Sequence, residues 1–197
     1  MTLMTRVDAA LAATKPALTG LACDAHVRTP CGERRVEFLR PGDLIVTRSD
    51  GLQPLRHILR TRVSLAEMRA DPALAPIRLT PRALGPLMPV RSLALAPDHP
   101  VRVPAHLLGQ SVPDPTLRLT ARSLADYFDE IFVDMSANGA IYHGLVFDRP
   151  QALMVNGVLV ESATPDASSL RHMDEDTRKA LERLFPHLRS KPVRLAL

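Results

Sequence analysis

The chain has 197 residues, 46% hydrophobic and 23% charged, which is material for one compact domain able to bury a core without covalent staples. That balance excludes a wholly disordered, collagen-like or coiled-coil chain. The net charge of +4 is scattered among interleaved acids, Trp is absent and Tyr and Phe number only 2 and 5; a nucleic-acid partner, which calls for clustered cations and stacking rings, is not expected.

Pro at 18 against Gly at 9 points to many short elements joined by stiff turns, because proline interrupts helices and central strands. Cys23 and Cys31 allow at most one disulfide and lack the spaced histidines of a zinc site, so no metal and a reducing compartment are the expectations. In the opening residues Asp8, Lys15 and Pro16 interrupt any apolar run of the signal-peptide kind. No stretch approaches the roughly 20 apolar residues of a membrane span. A cytoplasmic protein with no membrane partner is expected.

Leu3, Val7, Ala10 and Leu11 recur at helical spacing over about residues 2 to 14, and Lys15-Pro16 ends the pattern. From Val27 to about Val63 the texture is β, with Val36/Phe38, Leu44/Val46 and Ile58 in short runs cut by turn residues. Arg40-Pro41-Gly42-Asp43 reads as a type II turn, Pro41 setting φ at its second position and Gly42 accepting the positive φ of its third. It is expected to fold Arg34 to Leu39 back onto Leu44 to Arg48, and Ser49-Asp50-Gly51 to make a second reversal into Gln53 to Arg62.

Residues 64 to 76 read as a surface excursion holding one helical turn. Strands resume at Ile77 to Thr80, Ser92 to Leu95 and Val101 to Val103, and the loop 104 to 116 is rich in proline. A short helix is expected over Ser123 to Phe128, then strands over Ile131 to Asp134, Ile141 to Phe147 and Gln151 to Val155, with the β region closing near Ser162. Beyond Pro165, Asp174, Glu175 and Asp176 precede Arg178, Lys179 and Arg183, with Leu181, Leu184 and Phe185 on one face. This is a helix whose acids and bases suit its dipole, closed by Pro186. The whole is a mostly β domain over 20–165, flanked by an N-terminal helical segment (1–19) and a C-terminal helical tail (166–197).

No GxGxxG, GxxxxGK[ST], GxSxG or HExxH pattern occurs, so neither a nucleotide nor another cofactor is expected. What remains for chemistry is dispersed: a thiol at Cys23, a histidine in Leu93-Ala94-Leu95-Ala96-Pro97-Asp98-His99, and His143 on a strand. A thiol and an imidazole on a β scaffold are the parts of acyl chemistry.

The string Val36-Glu37-Phe38-Leu39-Arg40-Pro41-Gly42-Asp43-Leu44-Ile45-Val46-Thr47, the Ala83-Leu84-Gly85-Pro86 turn, Ala96-Pro97-Asp98-His99 and Val155-Asn156-Gly157 to Glu161-Ser162 occur in order. Together they resemble a bacterial Hint domain, the module shared by hedgehog autoprocessing regions and inteins, over about residues 20 to 165. The resemblance implies a horseshoe of bent antiparallel hairpins. It also implies autoproteolysis: a Cys or Ser at the module's start attacks the preceding carbonyl and converts the amide into a thioester or ester, with the chain's own polypeptide as substrate.

Carried onto this chain, His99 matches the histidine that hydrogen-bonds and protonates the departing amide nitrogen, and His143 aligns with another family histidine. Cys23 would be the nucleophile, with cleavage at Ala22-Cys23. The chain also departs from the pattern. Spacing back from the Thr29-Pro30-Cys31-Gly32 turn puts the nucleophile position at Gly20, Ala96 stands where relatives carry a Thr or Ser hydroxyl, and Pro150 stands where relatives often carry a histidine. Asn156 lies inside a turn with about forty residues after it, so full splicing is not expected.

Bland readings stand beside these. Cys23 also reads as a buried small hydrophobe, Cys31 as an incidental turn residue, His99 as a hydrogen-bonded core histidine, His143 as a half-buried strand residue and Asp98 as a turn residue. Two functions therefore remain open: a self-cleaving Hint module, or a catalytically degenerate Hint fold acting as a binding or structural domain with an unknown protein partner.

Overall fold

The computed structural model describes residues 17–109, 116–166 and 169–188. The helix expected near residues 2 to 14 lies outside them. The fold class is the expected one: mostly β, with every pairing between the named strands antiparallel.

The first strands are β1 (Leu21–Ala22), β2 (His26–Thr29), β3 (Gly32–Arg35), β4 (Leu44–Val46), β5 (Leu52–Pro54) and β6 (His57–Val63). Next come β7 (Ile77–Leu79), β8 (Leu93–Leu95), β9 (Pro100–Pro104) and β10 (Thr116–Thr120). The chain closes its β region with β11 (Ile131–Val133), β12 (Ala140–Val146), β13 (Ala152–Val155) and β14 (Val158–Glu161). Two six-stranded sheets result, one ordered β11-β7-β8-β1-β12-β6 and the other β10-β9-β14-β13-β2-β3, while β4 and β5 pair alone.

The turn at Arg40-Pro41-Gly42-Asp43 forms: the Asp43 amide donates to the Arg40 carbonyl at 3.1 Å, and Gly42 has φ +96°. The hairpin expected across it does not. β3 pairs with β2 and β4 with β5, while Val36–Phe38 is a turn of 3-10 helix. Val36 and Leu39 are the buried residues of this stretch, at 0% and 1% exposure, whereas Phe38 is 56% exposed. Burial at a spacing of three matches the period of a 3-10 turn and conflicts with the two-residue alternation of a strand.

The excursion after β6 holds α1 (Leu65–Ala70), begun by a capping box. The Glu67 amide donates to Ser64 Oγ at 3.2 Å and the Ser64 amide to Glu67 Oε2 at 2.8 Å, satisfying two amides of the first turn. The short helix expected over Ser123 to Phe128 is α2 (Ala121–Leu124), capped by the Thr120 hydroxyl. The tail helix is α3 (Glu175–Leu184), N-capped by Asp174.

One core cluster joins the two sheets through residues such as Val27, Ile45, Leu95, Val101, Leu145 and Val160. A second, smaller cluster gathers Ala22, Val63, Met68, Ala75, Ala96 and Tyr142 beneath α1. The tail adds a third, in which Leu170, Leu181 and Leu188 cover Val146. Full burial of each Val, Leu, Ile or Met side chain among these is worth about 1.5–3 kcal/mol relative to exposure.

Candidate functional site

β1 occupies the middle of its sheet, with Leu21 opposite Leu95 of β8 on one side and His143 of β12 on the other. The chain reaches this slot through Leu18 to Gly20, and the segment Ala96 to His99 holds it there with four hydrogen bonds. The Leu18 amide donates to Asp98 Oδ2 at 2.9 Å and the Asp98 amide donates to the Leu18 carbonyl at 3.1 Å. The Gly20 amide donates to His99 Nδ1 at 3.1 Å, and the Ala96 amide donates to the Gly20 carbonyl at 2.9 Å. Asp98 is thus more than a turn residue. Its carboxylate orders the incoming strand, and Arg122 lies 3.7 Å from its other oxygen.

His99 is 2% exposed and is itself fixed by the backbone, its amide donating to the Ala96 carbonyl and its carbonyl accepting from the Ala121 amide. Since Nδ1 accepts from an amide, the ring proton resides on Nε2, which has no partner among the described residues. Burial pushes the imidazole down to about 3: a second proton would convert Nδ1 from acceptor to donor and place a charge in an apolar interior. At neutral pH the ring is therefore a neutral acceptor facing the nitrogen of the Thr19-Gly20 peptide.

His143 is also buried, at 3% exposure. Its Nδ1 lies 3.3 Å from the Leu21 carbonyl, which makes that nitrogen the donor. Burial pulls its pKa down, with the Leu21 carbonyl opposing and Arg60 adding to the fall. The two histidines thus attend neighbouring groups of the incoming strand, His99 at Gly20 and His143 at Leu21.

Cys23 is placed elsewhere. It is exposed and free, against the reading that made it a buried hydrophobe, and its Sγ lies 4.0 Å from the Ile141 carbonyl. Strand geometry advances about 3.3 Å per residue, so its α-carbon stands on the order of 10 Å beyond that of Gly20. Partial burial raises the thiol pKa, and the carboxylates of Glu37 and Asp24 push it further up against a smaller pull from Arg35. Arg35 pairs with both carboxylates. A thiol held in its neutral form is a weak nucleophile.

Gly20, where spacing leads one to expect the nucleophile position, has φ +138°. A Cβ built there would lie 3.0 Å from Tyr142 Cβ and 3.1 Å and 3.2 Å from the backbone N and C of His143. Both the backbone angle and the closeness of β12 thus select glycine. Ala96 is fully buried and its only polar group directed at the strand is its amide. Asn156 is a strut: its Oδ1 accepts from the His26 amide at 2.7 Å and its Nδ2 donates to the Ser92 carbonyl at 2.8 Å. Pro150 sits exposed in the loop between β12 and β13. Gly20 was legible through spacing from the Thr29-Pro30 turn; the role of Asp98 carried no local signal.

Among the described residues no group of three or more His, Cys, Asp or Glu is arranged to hold a metal. No helix among them is long and apolar enough to cross a membrane.

No curated protein matches the chain. Among solved structures it is similar to the gp41-1 intein at 13% identity and TM-score 0.40, covering 72% of this chain and 97% of that one. It is also similar to a bacterial intein-like domain from Clostridium thermocellum at 14% identity and TM-score 0.47, covering 73% of this chain and 98% of that one. A family model described as Hint domain matches residues 19–167, most of the chain and the whole of its β region, and the chain belongs to the Hint domain family.

Proposed function

We propose that this chain is a Hint module whose acyl-shift chemistry is silent and which serves as a folded binding or structural unit. The observation that carries this reading is the hydrogen bond from the Gly20 amide to His99. An acyl shift needs a side-chain nucleophile on the residue whose nitrogen departs, because proximity and alignment supply much of the rate. The residue whose nitrogen faces the histidine here is a glycine. His99, neutral and with Nδ1 already accepting, has no proton at that atom to give to a departing nitrogen.

Cleavage at Ala22-Cys23 is the competing reading. It would ask Cys23 Sγ to attack the Ala22 carbonyl, whose oxygen accepts from the Ala25 amide at 3.3 Å in a tight turn. The thiolate is disfavoured by its acidic neighbours, and the bond of His99 goes to a different peptide. Both points weigh toward the silent module.

The test is the intact mass of the purified full chain after incubation with dithiothreitol and, separately, hydroxylamine. A single species of full-length mass is expected in both. Fragments ending at Thr19 or at Ala22 would overturn the proposal, and fragments ending at Ala22 that vanish in Cys23→Ala would establish the self-cleaving reading instead.

A further inference from the structure

One face of β12, that of Tyr142, Gly144 and Val146, continues into Thr61 and Leu59 of β6. Two separate apolar clusters sit on it. At one end Tyr142 packs with Ala22, Val63 and Leu18 under α1. At the other the tail covers Val146, and Leu59, Ala163 and Met173 are half-buried at the border of that cluster. Between them lies a groove of 440 Å³ floored by Gly144 and Thr61. Ala163 and Leu59 close in on Gly144 so far that a Cβ there would come within 3.0 Å and 3.3 Å of theirs.

The chain enters along the rim of this groove. Ala17, Leu18 and Thr19 line it, so residues 1–16 are tethered at its edge by the backbone that leads to the junction. Opposite stand Pro165, Met173 and Asp174 of the tail. The charge on this side of the sheet is acidic. Arg60 and Arg62 border the groove, but the pairing register turns their side chains to the other face, with His143 and Ile141. Asp166 and Asp174 are the remaining charged residues of its lining.

We propose that this groove is the seat of the chain's own residues 1–16. Leu3, Val7, Ala10 and Leu11, which recur there at helical spacing, supply the apolar side chains that join the two clusters into one layer. The cations of the segment, Arg6 and Lys15, outnumber its one acid, Asp8, and so suit the acidic lining. Burial of the apolar face drives the seating, and a segment joined directly to the rim meets the groove at an effective concentration on the order of millimolar. Seated, it holds Leu18 to Gly20 from the side opposite Asp98 and His99. The inference does not rest on the silence of the junction; it needs only that the segment remain attached.

The experiment uses the full chain with Cys23→Ser and Cys31→Ser, a nitroxide attached at Ala12→Cys, and nitrogen-15 spectra that read the paramagnetic broadening of backbone amides. The amides of Leu59, Thr61, Ala163 and Met173 are expected to lose most of their intensity, while that of Phe132, on the strand at the far edge of the same sheet, keeps it. Adding Val7→Asp and Leu11→Asp, both outside the β domain, should restore the groove signals and leave the rest of the spectrum in place. Groove signals untouched by the nitroxide, or broadening that survives the two aspartates, would overturn the proposal. So would broadening of isotope-labelled chains by a nitroxide on unlabelled ones mixed with them, which would make a second copy the occupant. Intact mass is measured first: cleavage at the junction counts against the silent-module reading, whereas failure to dock is read from the amides of the uncleaved chain.

Discussion

Gly20 and Cys23 stand three residues apart on one incoming strand, and their surroundings are opposite. Gly20 is buried, tied to His99 through its amide and to Ala96 through its carbonyl, and has no side chain. Cys23 has the side chain, but it faces solvent at the end of β1, where its neighbours are carboxylates. The histidine-to-amide contact and the free thiol thus stand in the same chain at different residues. Nucleophilic catalysis depends on their coincidence, because the effective concentration of a group falls away steeply once it is displaced from the reacting atom.

The sharpest way to break this contrast is to move the reagent to the geometry. Gly20→Cys, alone or with Ala96→Thr, places a thiol at the residue whose nitrogen faces His99. The positive φ and the contacts with His143 backbone make the change costly, by about 3 kcal/mol or more from strain and overpacking together. Urea unfolding should show that loss, and thiol-induced cleavage should still be absent. A stable Gly20→Cys variant that cleaves at the bond following Thr19 would mean that β12 yields and that only the side chain was missing.

Acid tests the same contrast from the side of the histidine. The folded His99 sits near 3 against an ordinary value of 6.5, so between those values the unfolded chain binds the extra proton and the folded chain does not. Stability is therefore full above about pH 6.5 and falls as pH drops toward 3, with a slope approaching about 1.4 kcal/mol per pH unit for one proton. His143, shifted in the same direction, adds to that slope. In His99→Gln the dependence should flatten; an unchanged slope would remove His99 as its source.

Asp98→Asn keeps the shape of the side chain and removes the charge from its bond to the Leu18 amide. A loss of about 1 kcal/mol is expected, together with faster hydrogen exchange at Leu18 and slower change at Leu21. Uniform acceleration along the strand would indicate general destabilisation instead. The smallest effect belongs to the other end of the comparison: Cys23→Ser should change stability by no more than about 0.5 kcal/mol, as for an exposed residue, and thermal unfolding checks it.

What was legible in the sequence is what short-range chemistry decides. Pro41-Gly42 encoded its turn, the acids and bases around Leu181 encoded α3, and the Ile141 to Phe147 run became β12 with its ends moved by one residue. The hairpin expected from Arg34 to Arg48 failed because pairing partners are set by the whole sheet. β2 lies next to β3, and the spacing of Val36 and Leu39 suits a turn that delivers both to the core. The exposure of Cys23 was equally invisible, since a two-residue strand followed by a turn at Asp24, with φ +69°, has no periodic pattern. The site was half legible. His99 and the spacing that singles out Gly20 could be read from motifs, but which peptide His99 faces depends on residues 79 apart in the chain meeting across a sheet.

The direct measurement of that meeting is a nitrogen-15 NMR titration of the His99 imidazole with the Gly20 amide observed alongside. The predicted result is a neutral ring protonated at Nε2, with Nδ1 unprotonated and the Gly20 amide shielded from exchange, from pH 8 down to pH 5. A ring that titrates near 6.5, or that carries its proton on Nδ1, would contradict it and return the histidine to the role of proton donor.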